Sequence, residues 1–229
     1  ERDERMDVCI VGEPSNPTTL GEMIKIGRRG SITFDIQAQG VQGHVAYPHL
    51  VRNPLHALIR LLDGLAHQPL DGGTAHFDPS GVQVTTIDCG NPSSNVVPER
   101  ASARLNIRFN DSHDSAGLTR EVTARAARIS DETGVVLTVT PHVSGEAFLT
   151  RPGPFVDLVS RVVQQETGIQ PVLSTSGGTS DARFVKDHCP VVEFGLVGRF
   201  MHQVDERVPA AEVRNLARIY GRILESWFA

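Results

Sequence analysis

Apolar residues occupy every second position at Ile32, Phe34, Ile36 and Ala38, with polar residues between them. That period predicts a strand with one buried face. Asn53-Pro54 follows, an N-cap and a first-turn proline, and Leu55, Leu58, Ile59, Leu62 and Leu65 then recur at helical spacing. Val82 to Asp88 reads as a second strand, and Ala103, Leu105, Ile107 and Phe109 alternate as a third. Leu118, Val122, Ala126 and Ile129 mark a second amphipathic helix closed by Gly134, and Val135, Leu137 and Val139 begin a last strand. The order β-α-β-β-α-β predicts a split βαβ α+β domain over residues 30–146, one antiparallel sheet with both helices on one face.

The flanking segments follow another rhythm. Asp7 to Val11 is strand-like and ends in the turn Gly12-Glu13-Pro14-Ser15. Phe155 to Thr167 predicts a helix stopped by Gly168, Val172-Leu173 a short strand, and Val191 to Phe194 a buried strand. Val213, Leu216, Ala217, Tyr220, Leu224 and Trp227 predict a closing helix. A lone strand needs neighbours, so Asp7 to Val11 is expected in the same α/β sheet as the C-terminal strands. The fold class expected is α/β: segments 1–29 and 147–229 form one domain, interrupted by the inserted domain at 30–146.

Composition narrows the function classes. The net charge of -5 leaves no excess of Lys and Arg to neutralise phosphates, which argues against nucleic acid as a partner. No apolar run approaches the roughly 20 residues of a spanning helix, and no membrane partner is expected. The charged start Glu1-Arg2-Asp3-Glu4-Arg5 lacks the apolar stretch of a signal peptide. Three widely spaced cysteines, Cys9, Cys89 and Cys189, give neither a zinc knuckle nor a disulfide framework, and a cytoplasmic location is expected.

Several residues could carry chemistry. Glu13 lies just past a strand end, where ligand sites of open α/β sheets gather, and a carboxylate there can hold a metal or merely meet solvent. His202 lies in a loop after the strand Val191 to Phe194 and can ligate a metal or simply be exposed. Ser176-Gly177-Gly178-Thr179-Ser180-Asp181 is glycine-rich and opens a short helical pattern, which suits an anion or an ordinary capped turn. It lacks the lysine of a nucleotide P-loop. His44 and Tyr47 sit in a turn after the first long strand, and Arg104, Asn106 and Arg108 share one strand face.

Together these stretches resemble the succinyl-diaminopimelate desuccinylases of the di-zinc aminoacylase and carboxypeptidase superfamily. The resemblance runs through CIVGEPS (Cys9 to Ser15), IKIGRRGS (Ile24 to Ser31), GHVAYPHL (Gly43 to Leu50), SNVVPE (Ser94 to Glu99), LNIRFN (Leu105 to Asn110), STSGGTSDARF (Ser174 to Phe184) and VEFGLVGRFMHQVDE (Val192 to Glu206). It implies an amidohydrolase releasing succinate and diaminopimelate, for lysine and cell-wall synthesis. It also implies two zinc ions in the whole enzyme, with cobalt possible in place of one, and no metal bound by this chain alone. By the same resemblance Glu13 is the carboxylate ligand of one zinc and His202 the imidazole ligand of the other. His44 becomes a catalytic oxyanion donor reaching a neighbouring subunit. Arg28, Tyr47, Asn95, Arg108, Gly178 and Thr179 become substrate-binding positions for a dicarboxylate amide. The inserted domain corresponds to a lid through which a homodimer forms, expected to use the Asn53-Pro54 helix and the strand before it. The family's His-x-Asp ligand motif, bridging aspartate and Glu-Glu pair are read as absent, with no His-x-Asp and no Glu-Glu expected anywhere in the chain, so the chain itself is expected to be inactive. Gly198 stands where the family has an asparagine. A sister acetylornithine deacetylase or dipeptidase, or an inert dimerisation module, are the alternatives.

Overall fold

The computed structural model describes residues 5–178 and 180–229. In chain order the elements are β1 (Cys9–Val11), β2 (Met23–Lys25), β3 (Gly27–Arg28), β4 (Gly30–Gln39), β5 (Gly43–His44), α1 (Pro54–Ala66), β6 (Gly81–Asp88), β7 (Val96–Val97), β8 (Arg100–Phe109) and α2 (Ser115–Thr133). They continue with β9 (Val136–Gly145), β10 (Phe148–Leu149), α3 (Pro154–Thr167), β11 (Val172–Ser174), α4 (Ala182–Val185), β12 (Val191–Glu193) and α5 (Ala210–Trp227). The chain divides into two compact units, Gly30–Ala147 and the flanking pair Glu1–Arg29 with Phe148–Ala229.

In the central unit, β6, β8, β4 and β9 form one sheet in that order, every pair antiparallel. Phe34 of β4 lies opposite Leu105 of β8 and Pro141 of β9. Ile32, Phe34, Ile36 and Ala38 are buried, as their alternation requires, and they share one core with Leu105 and Ile107 and the inner faces of both helices. Asn53 caps α1 by accepting from the Leu55 N–H at 3.0 Å, and Pro54 occupies the first turn. Asp114 caps α2, which ends at Gly134 in the left-handed region (φ 68°), a conformation glycine adopts without a Cβ clash.

One helix position departs from expectation. Ile59 is 55% exposed, while Leu61 joins Leu58, Leu62 and Leu65 in the core. Successive helical residues differ by 100° around the axis, so Ile59 is turned off the stripe that Leu58 and Leu62 define. The expected use of the strand before α1 as an interface edge also fails. β4 is hydrogen-bonded on both sides, and β5 is paired with β7, so the edges of the large sheet are β6 and β9.

A carboxylate anchors the loop between α1 and β6. Asp71 accepts from the Gly73 N–H (2.8 Å), the Ser80 N–H (3.2 Å), the Asn110 side chain (2.6 Å) and His113 Nε2 (3.0 Å). Burial alone would raise its pKa. The hydrogen bonds from Ser80, Gly73 and Asn110 outweigh that and hold it at about 2.

In the flanking unit, β1, β12, β2 and β11 form a second sheet in that order. β1 runs parallel to β12 and β11 parallel to β2, while β12 meets β2 antiparallel at Glu193 and Lys25. Asp7 to Val11 thus joins the C-terminal strands, as expected. β2, β3 and β10 are too short to leave a periodic signal. Ile24, Ile26, Val159, Val163, Val192, Phe194, Ile219 and Ile223 make the core of this unit. On α5, Val213 and Leu224 are exposed and Ala217 faces solvent too. Leu216, Ile219 and Ile223 point inward, and the Tyr220 hydroxyl donates to the Phe194 carbonyl at 2.5 Å.

Candidate functional site

A cleft of about 450 Å³ opens in the flanking unit beside the ends of β1 and β12, and Glu13, Lys25, Arg28, Gly178, Gly198 and His202 all line it. Glu13 leaves β1 on a loop that two buried polar residues fasten. Asn16 donates to the Gly195 carbonyl at 2.7 Å and accepts from the Gly21 and Met23 N–H groups at 3.0 Å. The Ser15 hydroxyl accepts from the Gly195 N–H at 3.1 Å and donates to the Met23 carbonyl at 3.2 Å. A Cβ at Gly195 would strike the Glu13 carbonyl, so the two loops approach backbone to backbone. His202 has φ 62° and Asp205 φ 61°, left-handed conformations uncommon for side-chain residues. Nearby, two guanidinium groups lie over the Phe200 ring, that of Arg207 at 4.0 Å and that of Arg199 at 5.5 Å from its centroid.

Beneath the cleft is a buried ionic group. Arg28 Nε donates to both oxygens of Glu193 at 3.0 Å, and its Nη2 pairs with Oε2. The two side chains are 10% and 2% exposed. Arg28 Nη1 donates to the Ser176 carbonyl at 3.2 Å, and the Ser180 hydroxyl donates to Glu193. Arg28, expected from the resemblance to contact substrate, therefore makes its bidentate grip on Glu193 within the chain. Gly177, at φ 105°, leaves the room that Arg28 Nη1 fills. Lys25 Nζ donates to the Ser176 hydroxyl at 2.7 Å and the Ser174 hydroxyl at 3.3 Å.

Sequence reasoning gave no role to Ser15, Asn16, Lys25 or Glu193. A charged residue inside an otherwise apolar strand was the available signal, in Met23-Ile24-Lys25 and Val191-Val192-Glu193. Thr179 lies outside the described residues.

The remaining predicted positions belong to the central unit. β5 and β7 pair His44 with Val96, and the Val45 N–H donates to the Asn95 carbonyl at 3.1 Å, so His44 and Asn95 are neighbours. The Tyr47 ring lies 5.7 Å from that of His44. His44, Tyr47 and Asn95 are all exposed. The Ala46 N–H donates to His44 Nδ1 at 3.0 Å, which makes Nε2 the protonated nitrogen of the neutral ring. Arg108 stands on β8 opposite Ser31 and Gly81, on the sheet face away from the helices. Its Nη1 is buried without a hydrogen-bond partner among the described residues.

Among the described residues no group of three or more His, Cys, Asp or Glu side chains is placed to hold a metal ion. Glu13 and His202 border the same cleft, but two donors fall short of the three or four protein ligands of a zinc site, so these residues alone do not fit the group. The sequence does contain one His-x-Asp, at His76-Phe77-Asp78. It lies in the loop before β6, where Phe77 is buried and the Asp78 carbonyl accepts from Asn110 at 3.4 Å. It belongs to no metal-holding group. The cysteines are free thiols, and no helix among the described residues is long and apolar enough to cross a membrane.

Comparison with known proteins identifies the class first. Residues 26–133 match the family described as a peptidase dimerisation domain. The fold is shared with an aminopeptidase from Bacillus cereus, with a TM-score of 0.76 at 19% identity over 92% of this chain and 55% of that one. It is shared too with a tripeptidase from Staphylococcus aureus, with a TM-score of 0.70 at 17% identity over 92% of this chain and 54% of that one. The chain thus has the mixed α/β fold of these structures, and its central part is similar to the dimerisation-domain family.

In sequence the chain is similar to succinyl-diaminopimelate desuccinylases, and the resemblance read from the motifs is borne out. The chain is 72% identical to the succinyl-diaminopimelate desuccinylase of Paracoccus denitrificans over 228 residues, 100% of this chain. It is 60% identical to that of Ruegeria pomeroyi over 99% of this chain. It spans about 60% of the length of each.

Proposed function

We propose that this chain supplies the dimerisation domain and the substrate-facing part of a hydrolase. That hydrolase cleaves the amide of N-succinyl-LL-2,6-diaminopimelate to succinate and LL-2,6-diaminopimelate. The observation that carries the reading is the 72% identity to a desuccinylase along the whole chain. The proposed roles follow the motifs. Glu13 and His202 are one carboxylate and one imidazole metal donor, each serving a different zinc. The rest of each donor set lies in the part of the relatives that this chain does not span. Such a metal pair, with cobalt able to replace one zinc, would activate water. The donors present in this chain do not by themselves form its site.

The chain's own contribution is to bind and to donate hydrogen bonds. His44, as the Nε2–H tautomer, is a neutral donor suited to an oxyanion that forms only in the transition state. Tyr47, Asn95, Arg108, Gly178 and Thr179 are proposed substrate contacts, and Arg28 is a positioning residue held by Glu193. A homodimer through the central unit fits a domain described by dimerisation. A soluble cytoplasmic enzyme of lysine biosynthesis fits the names of the relatives.

A chimera tests the activity. This chain would replace the matching segment of the Paracoccus denitrificans desuccinylase, and the product would be assayed on N-succinyl-diaminopimelate and N-acetylornithine. Turnover of the succinyl substrate is expected. A folded, metal-loaded dimer that hydrolyses only acetylornithine, or neither substrate, would overturn the proposal.

A further inference from the structure

The loop after β12 is held in a shape that its own residues disfavour. His202 and Asp205 both sit in the left-handed region, at φ 62° and 61°, and neither is a glycine. There the Cβ of an L-residue crowds the following carbonyl, so such a position persists only where its surroundings over-determine it. Burial does not supply that constraint. Met201 to Arg207 are all exposed, and Val204 is 92% exposed. Hydrogen bonds fasten the start of the loop. The Gly198 N–H donates to the Asn16 carbonyl at 2.9 Å, and the Met201 and Gln203 N–H groups donate to the Gly198 and Phe200 carbonyls at 3.1 and 3.3 Å. Gln203 Nε2 donates to the Arg199 carbonyl at 3.0 Å. These bonds stop at Gln203, and none of them reaches Asp205.

Arg207 spans the rest. Its Nη1 donates to the Asp205 carbonyl at 3.0 Å, and its guanidinium lies over the half-buried Phe200 ring, 4.0 Å from the centroid. One side chain thus ties the far end of the loop to its near end, with His202 and Asp205 enclosed between the two contacts. A planar guanidinium can stack and donate at once, which a compact lysine ammonium does not reproduce. We propose that Arg207, acting through Phe200, is a positioning residue that holds His202 in place at the cleft it lines. This rests on the reading of His202 as a functional donor of that cleft. An exposed cation–π contact shifts a population roughly 2- to 5-fold, and a hydrogen bond roughly 2- to 10-fold more. Together these are comparable with the penalty of one left-handed position, roughly 5-fold or greater, so losing Arg207 releases the loop without unfolding the unit.

Backbone 15N relaxation on the 229-residue chain tests the clasp without any hydrolysis. The His202 N–H order parameter should lie near the ~0.85 of rigid backbone in the wild type, and below about 0.6 in Arg207→Met and in Phe200→Leu. Phe200→Tyr, which keeps the ring face, should keep the order, and Arg207→Lys should lose it. Because the two side chains act through one contact, the double variant should be no more mobile than either single one. Melting of the flanking unit, followed by Trp227 fluorescence, should move by less than about 4 °C, as for other exposed substitutions. In the desuccinylase chimera, Arg207→Met should lower kcat roughly 10- to 100-fold with KM little altered, the usual effect of a misplaced group.

An unchanged His202 order parameter in Arg207→Met, or additive loosening in the double variant, would overturn the proposal. So would a wild-type order parameter already below about 0.6, which needs no variant to fold. Loss of the folded state in Arg207→Met would make the arginine structural and overturn it too. His202→Ala separates this proposal from the reading beneath it. Unchanged kcat in His202→Ala would sink that reading, whereas a mobile His202 with unchanged kcat in Arg207→Met would sink the positioning role alone.

Discussion

Replacing Glu193 by Gln removes one charge from the base of the cleft and keeps the side-chain volume. Arg28 Nε then faces a neutral amide 3.0 Å away, and two buried cations are left without a counter-charge. Unit charges at that distance interact by roughly 5 kcal/mol at an effective dielectric near 20. Part of that is returned because the carboxylate no longer has to be desolvated. Measured losses on breaking one side of a buried pair run to about 3–5 kcal/mol, and that is the expected destabilisation of the flanking unit. For a unit of about 110 residues this corresponds to a melting temperature lower by roughly 12–20 °C.

Trp227 supplies the assay. It is the only tryptophan, it belongs to this unit, and it packs edge-on against Phe155 at a ring distance of 5.6 Å. Its fluorescence during urea unfolding therefore reports the flanking unit. A double variant, Arg28→Met with Glu193→Leu, should recover much of the loss, because apolar replacement of a whole buried pair is often neutral or better. A loss below about 1 kcal/mol in Glu193→Gln would refute the reasoning, since only solvent-exposed pairs are worth so little. A double variant as unstable as the single one would equally show that shape, not charge, makes the contact.

The central unit was largely legible because its signals are local and long. Ten-residue alternation in β4 and β8, an Asn-Pro helix start and a glycine stop are each written within a few residues. Ile59 and the status of β4 were misjudged for different reasons. Periodicity fixes a helix stripe only to within a residue, while strand order depends on long-range pairing that no local pattern encodes. In the flanking unit β2 and β3 span three and two residues, too few for a period. The cleft residues Glu13 and His202 were found by motif, and their shared cleft follows from the parallel pairing of β1 with β12. The Arg28–Glu193 pair was invisible because its members are 165 residues apart.

Three more tests concern the central unit. Asp71 has a folded pKa of about 2 against an unfolded value near 3.9, so its stabilisation is present above pH ~4 and is lost as pH falls toward 2. Asp71→Ala should abolish up to about 2–3 kcal/mol of that pH dependence in urea unfolding, and an unchanged acid limb would contradict the assignment. Ile59→Glu places a charge on the exposed face of α1, which packs over the edge strand β6, and should weaken a homodimer at least roughly tenfold by light scattering; an unaffected dimer would put the interface elsewhere. His44 is exposed, so a merely structural imidazole there would have little to lose by truncation, and His44→Ala should leave the melting temperature unchanged in the chimera. Its kcat should nonetheless fall by roughly 10²–10³, the cost of one oxyanion donor, with KM little altered. Because the Ala46 N–H fixes the proton on Nε2, Ala46→Pro, which deletes that N–H, should reproduce part of the kcat loss while His44 itself remains. If the donor acts across the dimer, mixing His44→Ala subunits with subunits carrying Glu13→Ala should regenerate one working site per mixed dimer. Absence of recovery, with subunit exchange demonstrated, would mean that His44 serves its own subunit or none.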